Sequence, residues 1–434
     1  MSQPASIIIT VNSPGEVSGW LKPFVRALKQ ASWESSVTVF IPPCTFASGS
    51  ECEVVRAMPE VDLVVEPGQV LRFILLGKVP SGFYPAQNGV VLFLGGDLTW
   101  AAWIAKRLRY SAVAYTEGFV NRVKDFSIFA QPYPGMVQKL VRQGIPEDKL
   151  RLIGNLMLDA VQPALSKKEI REALNLGSRP LLLLMPGSRP AHFEYMVPFL
   201  LDVVAQTKKC LPELESVLSI SPFIDDNKLK QAITQASAKL WGLAGSFIPG
   251  KVVAPGVSSL TEPGLIQTES GLMLRVFRGR QYDMMAAADL AISLPGTNTM
   301  ELSFMGVPML ITIPLLYPER IPLEGIPGLI GRIPILGKAI KQWLIPKMSA
   351  KVKYTAWPNL LAQDEVVPEM RGQITAGQVG TAAADLLGNP ERLAAIANQL
   401  QLLAGQKGAA DRLVKLVEEV LQTRCPIDNC TQRI

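Results

Sequence analysis

Pro180-Leu181-Leu182-Leu183-Leu184-Met185, followed at once by Pro186-Gly187-Ser188-Arg189-Pro190, is where the chain starts its pattern a second time. An uninterrupted apolar run of this length, closed by a turn and an amphipathic stretch from about Phe193 to Lys208, reads as a strand buried on both faces of a parallel sheet. The first copy of the pattern opens the chain: Ser6-Ile7-Ile8-Ile9-Thr10-Val11, a turn, and a helical stretch from about Val17 to Gln30. Between them, Val37–Ile41, Val61–Val65, Val90–Leu94 and Ala112–Tyr115 read as further strands, with helical periods such as Trp100–Arg109 between several of them. After the restart, Val217–Ile220, Leu272–Val276, Leu290–Ser293 and Met309–Ile313 continue a second sheet. The expected fold is α/β: two Rossmann-like domains whose parallel sheets face a central cleft, where ligands bind in open sheets. Residues 1–160 form the first domain, 165–376 the second, 377–424 a set of C-terminal helices packing back across the domains, and 425–434 a polar tail.

Composition narrows the function. Of 434 residues 48% are hydrophobic and only 18% charged, so the chain is folded rather than disordered. Its single histidine, His192, excludes a zinc site with two His ligands. The five cysteines contain no CxxC pair and read as free thiols in a reducing compartment. No signal peptide is expected. The uncharged run Leu302–Pro318 is shorter than the ~20 residues of a spanning helix and is broken by Gly306, Pro308 and Pro314. The chain is therefore expected in the cytoplasm. Net charge is +6 and mean hydropathy +0.23, which suggests large buried or membrane-facing surfaces. The segment 314–354 is rich in Pro, Gly, large aliphatics and Lys/Arg. It is either an irregular insertion covering the second sheet or a surface that enters lipid headgroups. No basic stripe with interleaved aromatics marks a nucleic-acid groove.

Each Gly-Lys pair (Gly77-Lys78, Gly250-Lys251, Gly337-Lys338) lacks the following Ser/Thr of a Walker A loop, and no GxGxxG follows the first strand. Three turns at strand C-termini remain. In Asn12-Ser13-Pro14-Gly15-Glu16-Val17-Ser18-Gly19, Glu16 and Ser18 open a helix, and the acid is either a cap or a ligand group. In Pro186-Gly187-Ser188-Arg189, the guanidinium suits an oxyanion; a surface salt bridge is the plainer reading. In Pro295-Gly296-Thr297-Asn298-Thr299-Met300-Glu301, backbone amides and hydroxyls meet at a helix N-terminus, an anion site for a diphosphate, with Glu301 placed to accept from ribose hydroxyls.

These strings resemble the lipid A disaccharide synthase family, bacterial glycosyltransferases of GT-B arrangement, over most of the chain. Gly15–Gly19 is similar to that family's Gly-Glu-Ala-Ser-Gly. Leu184–Arg189 is similar to its Leu-Leu-Pro-Gly-Ser-Arg, and Gly296–Glu301 to its Gly-Thr-Ala-Thr-Leu-Glu. Pro358-Asn359-Leu360-Leu361-Ala362 with Val367-Pro368-Glu369 resembles its Pro-Asn-Leu-Leu-Ala and Val-Pro-Glu. The resemblance implies transfer of a sugar, of N-acetylglucosamine type, from a UDP-sugar to a lipid or lipid-linked hydroxyl, with no metal or other cofactor. It puts donor binding on Gly187, Ser188, Arg189, Gly296, Thr297, Asn298, Thr299, Glu301 and Asn359. It also implies a final helix crossing back to the first domain and peripheral contact with the inner membrane; a homodimer is compatible with it. The acceptor side, with Gly15 and Ser18, departs from the family: Trp20 replaces an acid, Gly95-Gly96-Asp97-Leu98-Thr99-Trp100 keeps one Asp of Gly-Ile-Asp-Ala-Pro-Asp, and Gly154-Asn155-Leu156 replaces Gly-His-Pro. Asp97 or Glu16 is expected as the general base, and capping is the competing role for both. A UDP-sugar epimerase of the same fold and a catalytically silent binding protein stay open as alternatives.

Overall fold

The computed structural model describes residues 5–31, 34–43, 49, 51–187, 190–221, 224–234, 244–254, 257–315 and 353–423. Ser188, Arg189 and nearly all of the 314–354 insertion lie outside the described residues, as does the polar tail. The chain divides into two units, Met1–Val161 with Gly405–Ile434, and Gln162–Ala404.

The first unit is a seven-stranded sheet of β1 (Ala5–Thr10), β2 (Ser35–Phe40), β3 (Leu63–Val65), β4 (Gly89–Phe93), β5 (Ser111–Tyr115), β6 (Ile128–Gln131) and β7 (Leu150–Leu152). Its order is β3-β2-β1-β4-β5-β6-β7 and every pairing is parallel. Strand β1 shows why the sequence run is apolar throughout. Ile7 and Ile9 point into a core with Phe24, Leu413 and Val417, while Ile8 points into the opposite core with Phe40, Val65 and Phe73. The expected helix at Val17–Gln30 is two pieces: a wide turn at Val17–Leu21, then an α-helix at Lys22–Gln30. Pro23 has no N–H to donate, so the register slips and Lys22 N–H bonds the Val17 carbonyl five residues back.

Helices at Ala376–Leu387 and Pro390–Ala404 belong to the second unit, and the last helix, Ala409–Thr423, to the first. The C-terminal helices expected at 377–424 thus divide at residue 404, with the final one in the first unit. Asp159 anchors the last helix: its two oxygens accept from Gly408 N–H and Ala410 N–H, both at 2.7 Å, and Arg412 Nε donates to the Ile153 carbonyl at 2.6 Å.

The second unit holds β8 (Leu181–Met185), β9 (Glu215–Ile220), β10 (Gly245–Ile248), β11 (Val252–Ala254), β12 (Val257–Ser258), β13 (Gly264–Thr268), β14 (Met273–Arg278), β15 (Leu290–Ser293), β16 (Met309–Pro314) and β17 (Glu369–Gly372). Eight of these form a sheet ordered β10-β13-β14-β9-β8-β15-β16-β17. The sheet is parallel from β14 to β17, but β10 and β13 run antiparallel at one edge, where the sequence pattern suggests a purely parallel sheet. The difference has a local cause. Gly245–Ile248 alternates half-buried and exposed residues, the pattern of a strand with one wet face. In each main sheet the strand order switches direction beside the opening strand: between β1 and β4, and between β8 and β15. Ligand crevices of open α/β sheets form at such points.

Candidate functional site

Both reversal points carry the turns singled out in the sequence, and the two are built differently. In the first unit, β1 ends in Asn12-Ser13 and β4 ends in Gly95-Gly96. The carboxylate of Glu16 joins them. Its Oε2 accepts from the amides of Asn12 and Ser13, and its Oε1 from the amide of Gly96, all at 3.1 Å. Burial pushes this carboxyl above its ordinary value, against the lowering effect of those hydrogen bonds. The glycines are required: a Cβ on Gly95 (φ 157°) would lie 2.1 Å from Glu16 Cδ, and one on Gly96 (φ 87°) 2.5 Å from Asn12 Nδ2. Glu16 therefore ties two turns together. Asp97 is the N-cap of the helix Leu98–Leu108, with Oδ1 accepting from Thr99 N–H at 2.7 Å, and it remains exposed. Gly15 and Ser18 lie along the half-buried backbone of the first turn. A Cβ on Gly19 would lie 2.7 Å from Met157 Cε, so this glycine lets the helix Leu156–Ala160 approach.

The residues that depart from the family motifs fill space. Trp20 packs edge-on against Tyr115, ring centroids 5.2 Å apart. Asn155 caps its helix through Met157 N–H (2.9 Å) and donates to Tyr133 Oη (2.8 Å).

A third acid at this rim was not singled out by the motifs. Glu117 follows β5, the neighbour of β4, in Tyr115-Thr116-Glu117-Gly118. Fully buried Gln131 holds the turn from both sides, its Oε1 accepting from Gly118 N–H (3.0 Å) and its Nε2 donating to Thr116 Oγ1 (2.6 Å). Glu117 is exposed at the surface of the turn, and desolvation of its carboxyl pushes it up to about 7. An acid and a glycine directly after a buried strand were the available sequence signal.

In the second unit, β8 leads into Pro186-Gly187 and neighbouring β15 into Leu294-Pro295-Gly296. A Cβ on Gly187 (φ 91°) would lie 3.5 Å from Leu294 Cδ1, so these turns sit against each other. Gly296 adopts φ 147°, ψ −164°, a conformation open to glycine, and starts the helix Thr297–Phe304 with no side-chain cap. Thr297 is exposed and Asn298 half-buried; among the described residues no group bonds their amides.

Below this end the motif residues turn inward. Thr299 is fully buried, its Oγ1 donating to the Gly296 carbonyl (2.8 Å) and accepting from Trp357 N–H (3.1 Å). Asn359 is also fully buried and uses four hydrogen bonds within the chain: Nδ2 to Val367 O and Glu369 Oε1, Oδ1 from the amides of Val366 and Val367, at 2.8 to 2.9 Å. This amide is saturated. The placement of Asn359 among the donor contacts is corrected: it holds the helix Trp357–Ala362 against β17. Glu369 closes the same knot. Burial opposes its charge, but bonds from Thr355, Ala356 and Asn359 hold it below the usual carboxylate range.

Glu301 lies one turn into the helix and is almost fully buried. Tyr282 Oη donates to its Oε1 at 2.9 Å, and desolvation pushes it up to about 7. Of the expected donor group, Gly187, Gly296, Thr297, Asn298 and Glu301 thus gather at one end of β8 and β15; Thr299 and Asn359 support them from beneath.

No protein-family model matches the chain. Among curated proteins, the lipid-A-disaccharide synthase of Solibacter usitatus is 27% identical over 288 residues, 65% of this chain and 59% of that protein. That of Syntrophus aciditrophicus is 24% identical over 340 residues, 77% and 70%. The match thus spans about three fifths of the first relative's length. Among solved structures, the UDP-GlcNAc 2-epimerase from Neisseria meningitidis bound to UDP-GlcNAc superposes with TM-score 0.55 at 13% identity, over 96% of this chain and 100% of that one. MurG from Acinetobacter baumannii gives 0.50 at 13%, over 96% and 100%. Likeness at that level shows the fold alone, whereas four motifs in matching order and the curated relatives agree on descent: the chain is a distant relative of the lipid-A-disaccharide synthases, built as two Rossmann-like units of GT-B type.

Proposed function

We propose that this protein is a glycosyltransferase: its second unit binds a UDP-sugar, of N-acetylglucosamine type, and its first unit binds a lipid or lipid-linked hydroxyl. One observation carries the reading. Among the described residues, the helix at the second reversal point starts with open amides and its acid, Glu301, is buried one turn away, whereas the corresponding rim of the first unit carries three carboxyl groups. Open amides with the positive end of a helix dipole stabilise a departing diphosphate. Carboxylates repel phosphate but accept protons from hydroxyls.

In this reading the acceptor oxygen attacks the anomeric carbon from the side opposite the UDP, the glycosidic C–O bond to the diphosphate breaks, and configuration inverts. The charge that develops on the diphosphate is met by the amides of Thr297 and Asn298 and by Arg189; no metal is invoked. Glu117 takes the hydroxyl proton, since its raised affinity brings proton transfer close to neutral pH. Asp97, exposed after the neighbouring strand β4, orients the acceptor. Glu16 keeps both turns in place.

The test is incubation of the purified chain with a panel of UDP-sugars and membrane lipid extracts, with UDP release and a heavier lipid read by mass spectrometry. Arg189→Ala should weaken UDP binding, and Asp97→Ala should lose turnover with UDP affinity retained. UDP binding without a heavier lipid from any extract sinks the transferase and leaves a binding protein. Conversion of the free UDP-sugar to an isomer would mark an epimerase.

A further inference from the structure

Glu301 uses only half of its carboxyl group. The residue is 6% exposed, and its Oε1 accepts from Tyr282 Oη at 2.9 Å. Oε2 bonds no group among the described residues, yet it is not one of their sealed, unpartnered polar atoms, so it keeps an opening to the surface. A buried carboxyl with one idle oxygen is costly to the fold unless a ligand completes it.

The helix Thr297–Phe304 sets the direction of that oxygen. Thr297 and Glu301 are four residues apart, so they share one face of the helix, about 6 Å apart along its axis. Helical side chains lean toward the N-terminus, which carries the carboxyl of Glu301 toward the open amides. Tyr282 reaches the acid from a second element, the helix Gln281–Ala287. Burial, and then the charge of Glu301, push its phenol far above the ordinary value, so Tyr282 remains a donor throughout the neutral range. It therefore claims Oε1 and breaks the two-fold equivalence of the carboxyl oxygens, which leaves Oε2 for a ligand. A hydroxyl suits that oxygen in either protonation state, because it can donate to a carboxylate and accept from a carboxylic acid. Phosphate is repelled by the ionised form, and an ammonium gains little from the neutral one.

We propose that Tyr282 is a positioning residue of the donor site: by holding Oε1 of Glu301 it presents Oε2 to a ribose hydroxyl of the nucleoside diphosphate whose phosphates rest on the amides of Thr297 and Asn298, and so selects ribonucleotides over deoxyribonucleotides. The inference rests on the donor half of the transferase reading and adds to it a residue that itself touches no substrate. Without the phenol, the carboxyl turns freely about its last bond, and fixing it on binding draws on the affinity for the ribose alone. The diphosphate contacts, made one turn away by backbone, are unaffected by that freedom.

The experiment is calorimetry of the full chain with UDP and with 2′,3′-dideoxyuridine diphosphate, in the wild type, Tyr282→Phe, Glu301→Ala and the double variant. The wild type should prefer UDP about tenfold, the worth of a hydrogen bond to a carboxyl. Tyr282→Phe keeps the ring and removes only the hydroxyl; it should weaken UDP about fivefold and leave the dideoxy compound within about twofold, so that the preference shrinks. Glu301→Ala should abolish the preference, and Tyr282→Phe should change nothing further in that background. Because the two nucleotides are compared within each variant, a general loss of stability cancels, and the Tyr282→Phe ratio decides even where Glu301→Ala does not fold. Equal weakening of both nucleotides by Tyr282→Phe, or an unchanged preference, makes Tyr282 a packing residue and overturns the proposal while the donor reading stands. So does a wild type that takes up both nucleotides alike. No uptake of either nucleotide by the wild type overturns the donor reading itself, and the proposal with it.

Discussion

The two reversal points share a topology and differ in how they treat a helix N-terminus. In the first unit, Glu16 fills the space where the β1 and β4 turns meet and Asp97 caps the helix after β4, so the chain satisfies its own amides with its own carboxylates. In the second, Gly296 caps nothing, and the acid one turn on, Glu301, is withdrawn into the core, where desolvation, against the lowering hydrogen bond from Tyr282, raises its carboxyl to about 7. One rim sets its carboxyl groups against its turns and the other withdraws its acid into the core. A fold that repeats itself can therefore divide labour between a proton acceptor and an anion holder through the placement of a few carboxyl groups.

The sharpest way to break that contrast is at Glu117. Glu117→Gln keeps the shape of the turn but removes the group that takes the proton. Turnover is expected to fall about 10²- to 10⁴-fold while UDP affinity, read by calorimetry, stays put. In the wild type, kcat/KM should rise with pH through about 7, because the carboxyl must lose its proton before it can accept one; the variant should lose that limb. An unaltered pH profile would move the base back to Asp97.

On the donor side the expected effect is smaller. Gly296→Ala meets no neighbour within 4 Å of the added Cβ, so the whole penalty is conformational, at φ 147°. A cost of about 1–3 kcal/mol in the local backbone should weaken UDP binding by roughly one to two orders of magnitude. If UDP affinity is unchanged, the amides of Thr297 and Asn298 are not the anion site. Glu16→Gln offers the matched control in the first unit. The amide can replace one carboxylate oxygen but turns an N–H toward a backbone donor, which should destabilise the fold by about 1–2 kcal/mol in denaturant titration without touching UDP affinity.

How much of this could be read from the sequence depends on whether the cause is local. Runs such as Ile7-Ile8-Ile9 and Leu181–Met185 announce strands because both faces must be apolar, and Gly296 announces a turn because its backbone conformation demands glycine. The β10 and β13 edge was hidden, since a short strand with one wet face looks like loop. The motif around Asn359 was legible as a motif and misleading as to role. Its residue types suit a ligand equally well, and only the three-dimensional neighbours Val366, Val367 and Glu369 show that the amide is spoken for. Glu117 escaped because the desolvation that raises its carboxyl leaves no mark in a local motif.

The gentlest probe of the contrast is Glu301→Gln, read as stability against pH. Glu301 has a folded-state affinity for protons raised from 4.5 to about 7, so between those values the folded chain holds a proton that the unfolded chain has released. Stability must therefore fall as pH rises through that window, by at most about 3 kcal/mol from this group. Gln cannot ionise yet still accepts from Tyr282 Oη, so the variant should lose this slope and, above pH 7, gain about 1 kcal/mol over the wild type; the rest is offset because Tyr282 bonds a carboxylate more strongly than an amide. Thermal melts at pH 5 and pH 8 decide it. If the wild type and the variant show the same pH slope, the acid is ionised in the folded protein, and the second rim is not the charge-free anion holder that distinguishes it from the first.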